Sequence, residues 1–109
     1  MPKVFLGIGH GGKDPGAMAY GLVEKEINLA IGLACQAELV RHGVTVLMSR
    51  TKDEDDTLAQ EIAEANAFRP DLAVDIHNNA GGGDGFEAYH QTNGYKLKSL
   101  ALAKSIEAQ

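Results

Sequence analysis

The chain has 109 residues, a formal net charge of −5 and 44% hydrophobic residues, which together indicate a single globular domain. The acidic balance and the absence of a basic run argue against binding to nucleic-acid phosphates. Apolar stretches are too short to cross a membrane, and the first residues are typical of a strand and not of a signal peptide. Cys35 is the only cysteine, which allows no intrachain disulfide and favours a small buried apolar residue.

Strand and helix patterns alternate from the start of the sequence. A continuous apolar run predicts a strand over Lys3–Ile8 that is covered on both faces, and glycine and proline predict a loop from there to about Gly21. An apolar stripe at helical spacing then predicts a long helix over Leu22–His42, with Gly43 just beyond its end. The stripe consists of Val23, Ile27, Ala30, Ile31, Ala34 and Ala37.

The alternation continues through the rest of the chain. Strands are predicted over Val44–Met48, Leu72–His77 and Gly85–His90, helices over Leu58–Phe68 and from Tyr95 onward, and a flexible turn over Gly81–Asp84. Asp55, Asp56 or Thr57 can cap the helix that Pro70 stops. This order predicts an α/β fold, in which a mostly parallel or mixed twisted sheet is flanked by helices within one domain spanning 1–109.

Three side chains that can bind a metal meet at one edge of this predicted sheet. His10 follows the first strand on glycine-rich backbone, His77 closes a later strand, and Glu24 lies in the first turn of the first helix. The carboxyl ends of parallel strands share one edge, where α/β proteins bind their ligands. Two imidazoles and one carboxylate, with a fourth position left for water, are typical of catalytic Zn²⁺. The topology therefore predicts a zinc site.

Each of these side chains has a simpler explanation when it is taken alone. His10 can be a turn residue, and Glu24 can serve only the dipole at a helix N-terminus. His77 is the most informative, since a polar group that ends an apolar strand needs a buried partner or a ligand. Asn78 and Asn79 beside it can hydrogen-bond to the site or simply form the turn. The three together are more specific than any one of them.

A competing motif overlaps the same loop. Residues 7–12 match the pattern G-x-G-x-x-G that follows a strand in dinucleotide-binding domains. That site requires a helix to begin at once, whereas Pro15 and Gly16 follow here and the helical pattern begins only near Leu22. The second strand also ends in Ser49 and Arg50, without the acidic residue that would bind a ribose. A non-catalytic module that binds zinc, or a nucleotide through the Gly7–Gly12 loop, is the alternative hypothesis.

The order of several short motifs resembles the zinc-dependent N-acetylmuramoyl-L-alanine amidases of type 3. These motifs are Gly9-His10-Gly11-Gly12, Asp14-Pro15-Gly16-Ala17, Glu24 with Asn28-Leu29, Ser49-Arg50 with Asp53, Ala65-Asn66, Ile76-His77-Asn78-Asn79 and Gly85-Phe86-Glu87. The resemblance implies a phosphorylase/hydrolase-like α/β fold, Zn²⁺ held by His10, Glu24 and His77, and cleavage of the amide between muramic acid and L-alanine in peptidoglycan. It also implies action at the bacterial cell wall, as in autolysins, sporulation enzymes and phage endolysins, with a wall-binding module as a typical partner.

The sequence departs from the family pattern in two places. Glu61 stands where a basic residue is usual, so the surroundings of Arg50 and Asp53 are expected to pair differently, with little effect on zinc. The second departure concerns the family's general acid/base glutamate, which lies on a strand beyond the third predicted helix.

The sequence ends at Gln109, inside that helical pattern and before such a strand. We therefore expect the usual general acid/base beyond Gln109, and a C-terminally truncated domain that is inactive alone. Glu87 is the internal candidate for the catalytic base, although a carboxylate that orients a ligand or a loop is the simpler interpretation.

Overall fold

Five strands and two helices form the part of the chain that the computed structural model describes, residues 2–55 and 57–78. In chain order they are β1 (Lys3–Ile8), β2 (Met18–Ala19), β3 (Leu22–Val23), α1 (Glu24–Arg41), β4 (Thr45–Met48), α2 (Leu58–Phe68) and β5 (Leu72–Ile76). The turn, strand and helix predicted over residues 81–84, 85–90 and from 95 onward lie outside the described residues.

The main sheet is parallel and has the order β4-β1-β5. Val4 pairs with Val46 on one side and with Leu72 on the other, and Ile8 pairs with Ile76 near the carboxyl ends. All residues of β1 after Lys3 are buried, as its continuous apolar run predicts. The α/β class and the parallel sheet are confirmed. The pairing of β1 with β5 brings the loop after β1 beside His77 and Asn78.

Helix α1 packs on this sheet through a different face from the predicted one. Its buried residues are Glu24, Asn28 and Gly32, and the predicted stripe is wrong because Ala30, Ile31, Ala34 and Ala37 are exposed. A Cβ on Gly32 would lie 2.3 Å from Ile8 Cδ1, so glycine allows helix and strand to approach closely. The phase of the pattern is misleading because the packed face also carries the polar residues of the site.

A short antiparallel hairpin precedes α1. β2 pairs with β3 around a turn in which Tyr20 and Gly21 have φ of 53° and 78°. The predicted loop therefore contains regular structure, and the helix begins at Glu24, two residues later than predicted. Gly43 has φ of 81° just beyond the helix, as its position predicts.

Helix α2 has the predicted bounds. Thr57 is the N-cap, and it forms a capping box in which its hydroxyl accepts from the backbone N–H of Gln60 at 3.1 Å. Arg69 ends the helix in left-handed backbone directly before Pro70. The following strand stops one residue short of His77. Neither of the two described helices has the length and apolar character needed to cross a membrane.

Candidate metal centre

His10, Glu24 and His77 come together at the carboxyl ends of β1 and β5. The two strands stay in register beyond Ile8, because the backbone N–H of Gly9 donates to the carbonyl of Ile76 at 3.0 Å. The imidazoles of His10 and His77 lie edge to face with centroids 5.3 Å apart. One ligand atom from each of the three side chains lies within 4.8 Å of the others. The predicted convergence is therefore found in the structure.

The Glu24 carboxylate lies between the two imidazoles. Its Oε1 is 3.2 Å from His10 Nε2, and its Oε2 is 3.3 Å from His77 Nδ1. Glu24 is only 6% exposed, whereas 51% of the His77 side chain is accessible. The cluster therefore has a closed side at Glu24 and an open side at His77.

Hydrogen bonds hold Glu24 in its charged form. Burial alone would raise the pKa of this carboxyl, but three donors and the nearby His10 outweigh it and place the pKa below its ordinary value. The donors are the backbone N–H of Asn78 at 3.0 Å, the side-chain amide of Asn28 at 3.1 Å and the backbone N–H of Ala17 at 3.1 Å. A buried carboxylate between two imidazoles can serve as an anionic ligand for a cation.

Asp14 fixes the ring of His10. Its Oδ2 lies 2.8 Å from His10 Nδ1, while its Oδ1 accepts from the backbone N–H of Gly16 at 3.1 Å. The bonds with His10 and with Gly16 lower the pKa of Asp14. Nε2 of His10 is left facing Glu24. A carboxylate on the far nitrogen is the usual support of a metal-binding histidine, and sequence reasoning identified Asp14 only as part of a motif.

Arg50 braces the main chain on both sides of the cluster. This residue is only 2% exposed, and its guanidinium donates to the carbonyls of His10 at 2.6 Å, Gly9 at 3.2 Å, Lys25 at 2.8 Å and Lys52 at 3.1 Å. Its partners are therefore backbone carbonyls, which include those of the loop after β1 and of the first turn of α1.

Asp53 ties the glycine loop to α1. It accepts from the backbone N–H of Gly12 at 2.8 Å and from Lys25 Nζ at 2.9 Å. The bond with Lys25, followed by the bond with Gly12, lowers the pKa of Asp53. Glu61 lies elsewhere, beside Gly7, where a Cβ would come within 2.1 Å of its Oε1. Among the described residues, Asp53 forms its ion pair with Lys25.

The donor set suits zinc. Zn²⁺ in proteins is bound by imidazole nitrogens and carboxylate oxygens, and three such donors converge here with the exposed side of His77 open to a further ligand. The dinucleotide alternative lacks its helix, because Gly11 and Asp14 pair across a tight turn and α1 begins only at Glu24. Cys35 is partly buried against the core, and this burial raises the pKa of its thiol.

The catalytic base stays a prediction. Glu87, the internal candidate, lies outside the described residues. Asn79 lies outside them as well.

The fold and the site define an α/β domain with a candidate metal centre at the carboxyl edge of its parallel sheet. The chain belongs to the N-acetylmuramoyl-L-alanine amidase family, whose pattern matches residues 4–109.

Similar proteins of known name agree with this membership. The chain is 46% identical over 91 residues to N-acetylmuramoyl-L-alanine amidase CwlM of Bacillus licheniformis, covering 82% of this chain and 36% of the relative. It is 44% identical over 88 residues to the endolysin of Bacillus phage SPP1, covering 79% and 32%. The solved structure of N-acetylmuramoyl-L-alanine amidase AmiC2 of Nostoc punctiforme superposes with a TM-score of 0.86 at 33% identity, covering 98% of this chain and 59% of that one. The chain thus spans about a third of the two curated relatives.

Proposed function

We propose that this chain is part of the catalytic domain of a zinc-dependent N-acetylmuramoyl-L-alanine amidase, which hydrolyses the amide between muramic acid and L-alanine in peptidoglycan. The observation that carries the proposal is the convergence of His10, Glu24 and His77 within 4.8 Å at the carboxyl edge of the sheet. Membership of the amidase family supports the choice of substrate.

The chemistry of the substrate accounts for this donor set. An amide is a poor electrophile, and Zn²⁺ when bound supplies a Lewis acid together with a water whose pKa is lowered to about 7. Glu24 would provide the negative charge of the site from its buried position, and Asp14 would hold His10 so that Nε2 faces inward. The accessible side of His77 would leave room for the substrate.

The proton must pass from the attacking water to the leaving nitrogen through a general acid/base. Glu87 is the candidate within this sequence. The family resemblance implies instead a glutamate beyond Gln109, on a strand that follows the third predicted helix. The two assignments differ in what the 109 residues can do alone.

Zinc content tests the metal centre. After metal loading and dialysis, we expect about one zinc per chain by elemental analysis, because three donors converge once in this site. His10→Ala, Glu24→Gln and His77→Ala should each lose bound zinc. His42→Ala is the matched control, since this exposed histidine lies at the far end of α1. Unchanged zinc content in His77→Ala would contradict the ligand assignment.

Release of free L-alanine amino groups from purified peptidoglycan tests the reaction. We expect no release from the zinc-loaded 109-residue chain, and release once these residues are joined to the C-terminal part of a relative's amidase domain. A zinc-loaded chimaera without hydrolysis would contradict the amidase proposal. Hydrolysis by the short chain that disappears in Glu87→Gln would assign the base to Glu87.

Targeting to the wall requires a separate explanation. The net charge of −5 gives no attraction to an anionic cell wall. We infer that a wall-binding module accompanies this domain in the working enzyme, which acts at the bacterial cell wall. Adding such a module from a relative should increase sedimentation of the protein with purified walls.

A further inference from the structure

Asn28 is the most deeply buried polar side chain near the candidate metal centre. It lies one helical turn after Glu24 on α1 and has 0% exposure. Its Nδ2 donates to the carbonyl of Gly9 at 3.0 Å and to Glu24 Oε2 at 3.1 Å, and its Oδ1 accepts from Nδ2 of Asn78 at 2.7 Å. A polar group buried in this way is stable only while its hydrogen bonds are made.

The orientation of the Asn28 amide is fixed by its partners. The carbonyl of Gly9 and the Glu24 carboxylate are both acceptors, so the group that faces them must be the NH₂. The oxygen is then left to Asn78, whose amide donates. A flipped amide would place an acceptor against two acceptors. The network therefore specifies one conformation of Asn28.

The three contacts reach one candidate ligand directly and the chain neighbours of the other two. Gly9 immediately precedes His10, Glu24 is contacted directly, and Asn78 immediately follows His77. Loops from β1 and β5 and the first turn of α1 thus meet at one side chain. We propose that Asn28 is a positioning residue, which sets the relative positions of the three metal ligands through a single buried amide. This inference rests on the proposed zinc site.

Other residue types at this position would fail for different reasons. Aspartate has the same shape but no donor, and it would place a second negative charge against the Glu24 carboxylate. Leucine would leave the carbonyl of Gly9 without this donor in a buried place. Only a side chain with a donor and an acceptor in fixed relation satisfies all three neighbours.

The test compares Asn28→Asp with two variants of the same helix. Zinc affinity by competition with a chelator should fall about 10- to 100-fold in Asn28→Asp, the range for residues that support metal ligands. The visible absorption of the Co²⁺-loaded protein should also change, because it reports ligand geometry. Gln36→Glu makes the same amide-to-acid change away from the site. Gly32→Ala disturbs packing on Ile8 without touching the network. Both controls should keep the affinity and the Co²⁺ spectrum.

A second variant keeps the inference testable if Asn28→Asp does not fold. Asn78→Ala removes only the donor to Asn28 and retains the backbone N–H that binds Glu24. It should lower zinc affinity in the same direction by a smaller factor. Unchanged affinity and spectrum in folded Asn28→Asp would overturn the inference, as would an equal loss in Gly32→Ala. If only Asn78→Ala folds, unchanged affinity in that variant overturns it.

Hydrogen exchange of the metal-free protein separates this inference from the zinc proposal. The backbone N–H groups of Ala17 and Asn78 both donate to Glu24 and report its position. The protection of both amides should fall in Asn28→Asp and persist in Gly32→Ala. In Asn78→Ala, the protection of the Ala17 amide should fall. Failure of the unaltered chain to bind zinc would reject the metal site. Hydrogen exchange would then decide whether Asn28 positions Glu24. Protection of these amides equal to that in the unaltered protein would overturn that role.

Discussion

The guanidinium of Arg50 donates from Nε to the carbonyl of His10 at 2.6 Å, and His10 itself has left-handed backbone with φ of 63°. A buried cation therefore supports the main chain of a candidate ligand at a conformation that non-glycine residues seldom adopt. The same group reaches the carbonyl of Lys25, next to Glu24. One side chain thus hydrogen-bonds to the main chain at or next to two of the three candidate ligands.

Arg50→Lys should be strongly destabilising despite conserving the charge. An ammonium group cannot reproduce the planar arrangement of donors to four carbonyls, and some of these buried acceptors would lose their partners. We expect the free energy of unfolding to fall by about 2–4 kcal/mol, measured by urea denaturation of the metal-free protein. Arg41→Lys, at an exposed ion pair with Glu38, should leave it nearly unchanged. An equal change in the free energy of unfolding for the two variants would show that the hydrogen bonds of Arg50 do not stabilise the main chain.

Asp14→Asn should weaken zinc binding while leaving the fold intact. Asparagine has the same shape but lacks the charge that supports the His10 ring through Nδ1. We expect zinc affinity to fall about 10- to 100-fold in chelator competition. Glu38→Gln is the matched control, because it neutralises an exposed carboxylate that also lies near a histidine, His42. A change of the same size in Glu38→Gln would indicate a general electrostatic effect.

Gly16→Ala and Gly21→Ala separate backbone strain from crowding of the site. Both glycines have positive φ, at 70° and 78°. A Cβ on Gly16 would lie 2.6 Å from His10 Cδ2 and 2.8 Å from Glu24 Oε1, whereas nothing lies within 4 Å at Gly21. Each variant should lose about 1 kcal/mol of stability from the conformation alone. Only Gly16→Ala should also lose zinc affinity, and equal affinity in the two variants would contradict the geometry.

Stability of the metal-free protein should depend on the ionisation of Glu24. The pKa of Glu24 in the folded protein lies below its ordinary value of 4.5, so its contribution is present above pH 4.5 and is lost as the pH falls through the folded value. Urea unfolding between pH 7 and pH 3 should therefore show a shallower acid decline in Glu24→Gln than in the unaltered protein. Asp14, Asp53 and Glu38, whose pKa values are also lowered, should contribute to the remaining slope. Identical slopes would contradict a charged, stabilised Glu24.

The sheet and the meeting of the three candidate ligands were accessible to sequence reasoning. Apolar runs identify β1 and β5, and the rule that parallel strands end at one edge places His10 beside His77. The bounds of α2 follow from local signals, Pro70 after the helix and three possible caps before it, of which the structure uses Thr57. These features depend on neighbours in the chain or on topology alone.

The supporting network was not accessible in the same way. Arg50 contacts His10, 40 positions away, and Asn28 contacts Asn78, 50 positions away. Neither residue type indicates in the sequence which partner it will contact. The packed face of α1 was misjudged for a related reason. Its buried residues include Glu24 and Asn28, which an apolar pattern assigns to solvent. Hydrophobic periodicity therefore predicts the wrong packed face where a helix buries polar side chains at a site.

The separation of the ligands along the chain has a consequence for the lifetime of the protein. Glu24 and His77 lie 53 positions apart. Their contact joins the start of α1 to the residue that follows β5, the strand paired with β1. An ion held between them would act as a reversible cross-link between the start of α1 and the residue that follows β5. At a free concentration 100 times its dissociation constant it would add about 2.7 kcal/mol to folding. If the proposed zinc site is occupied, removal of the metal would therefore lower the resistance of this domain to proteolysis as well as its stability.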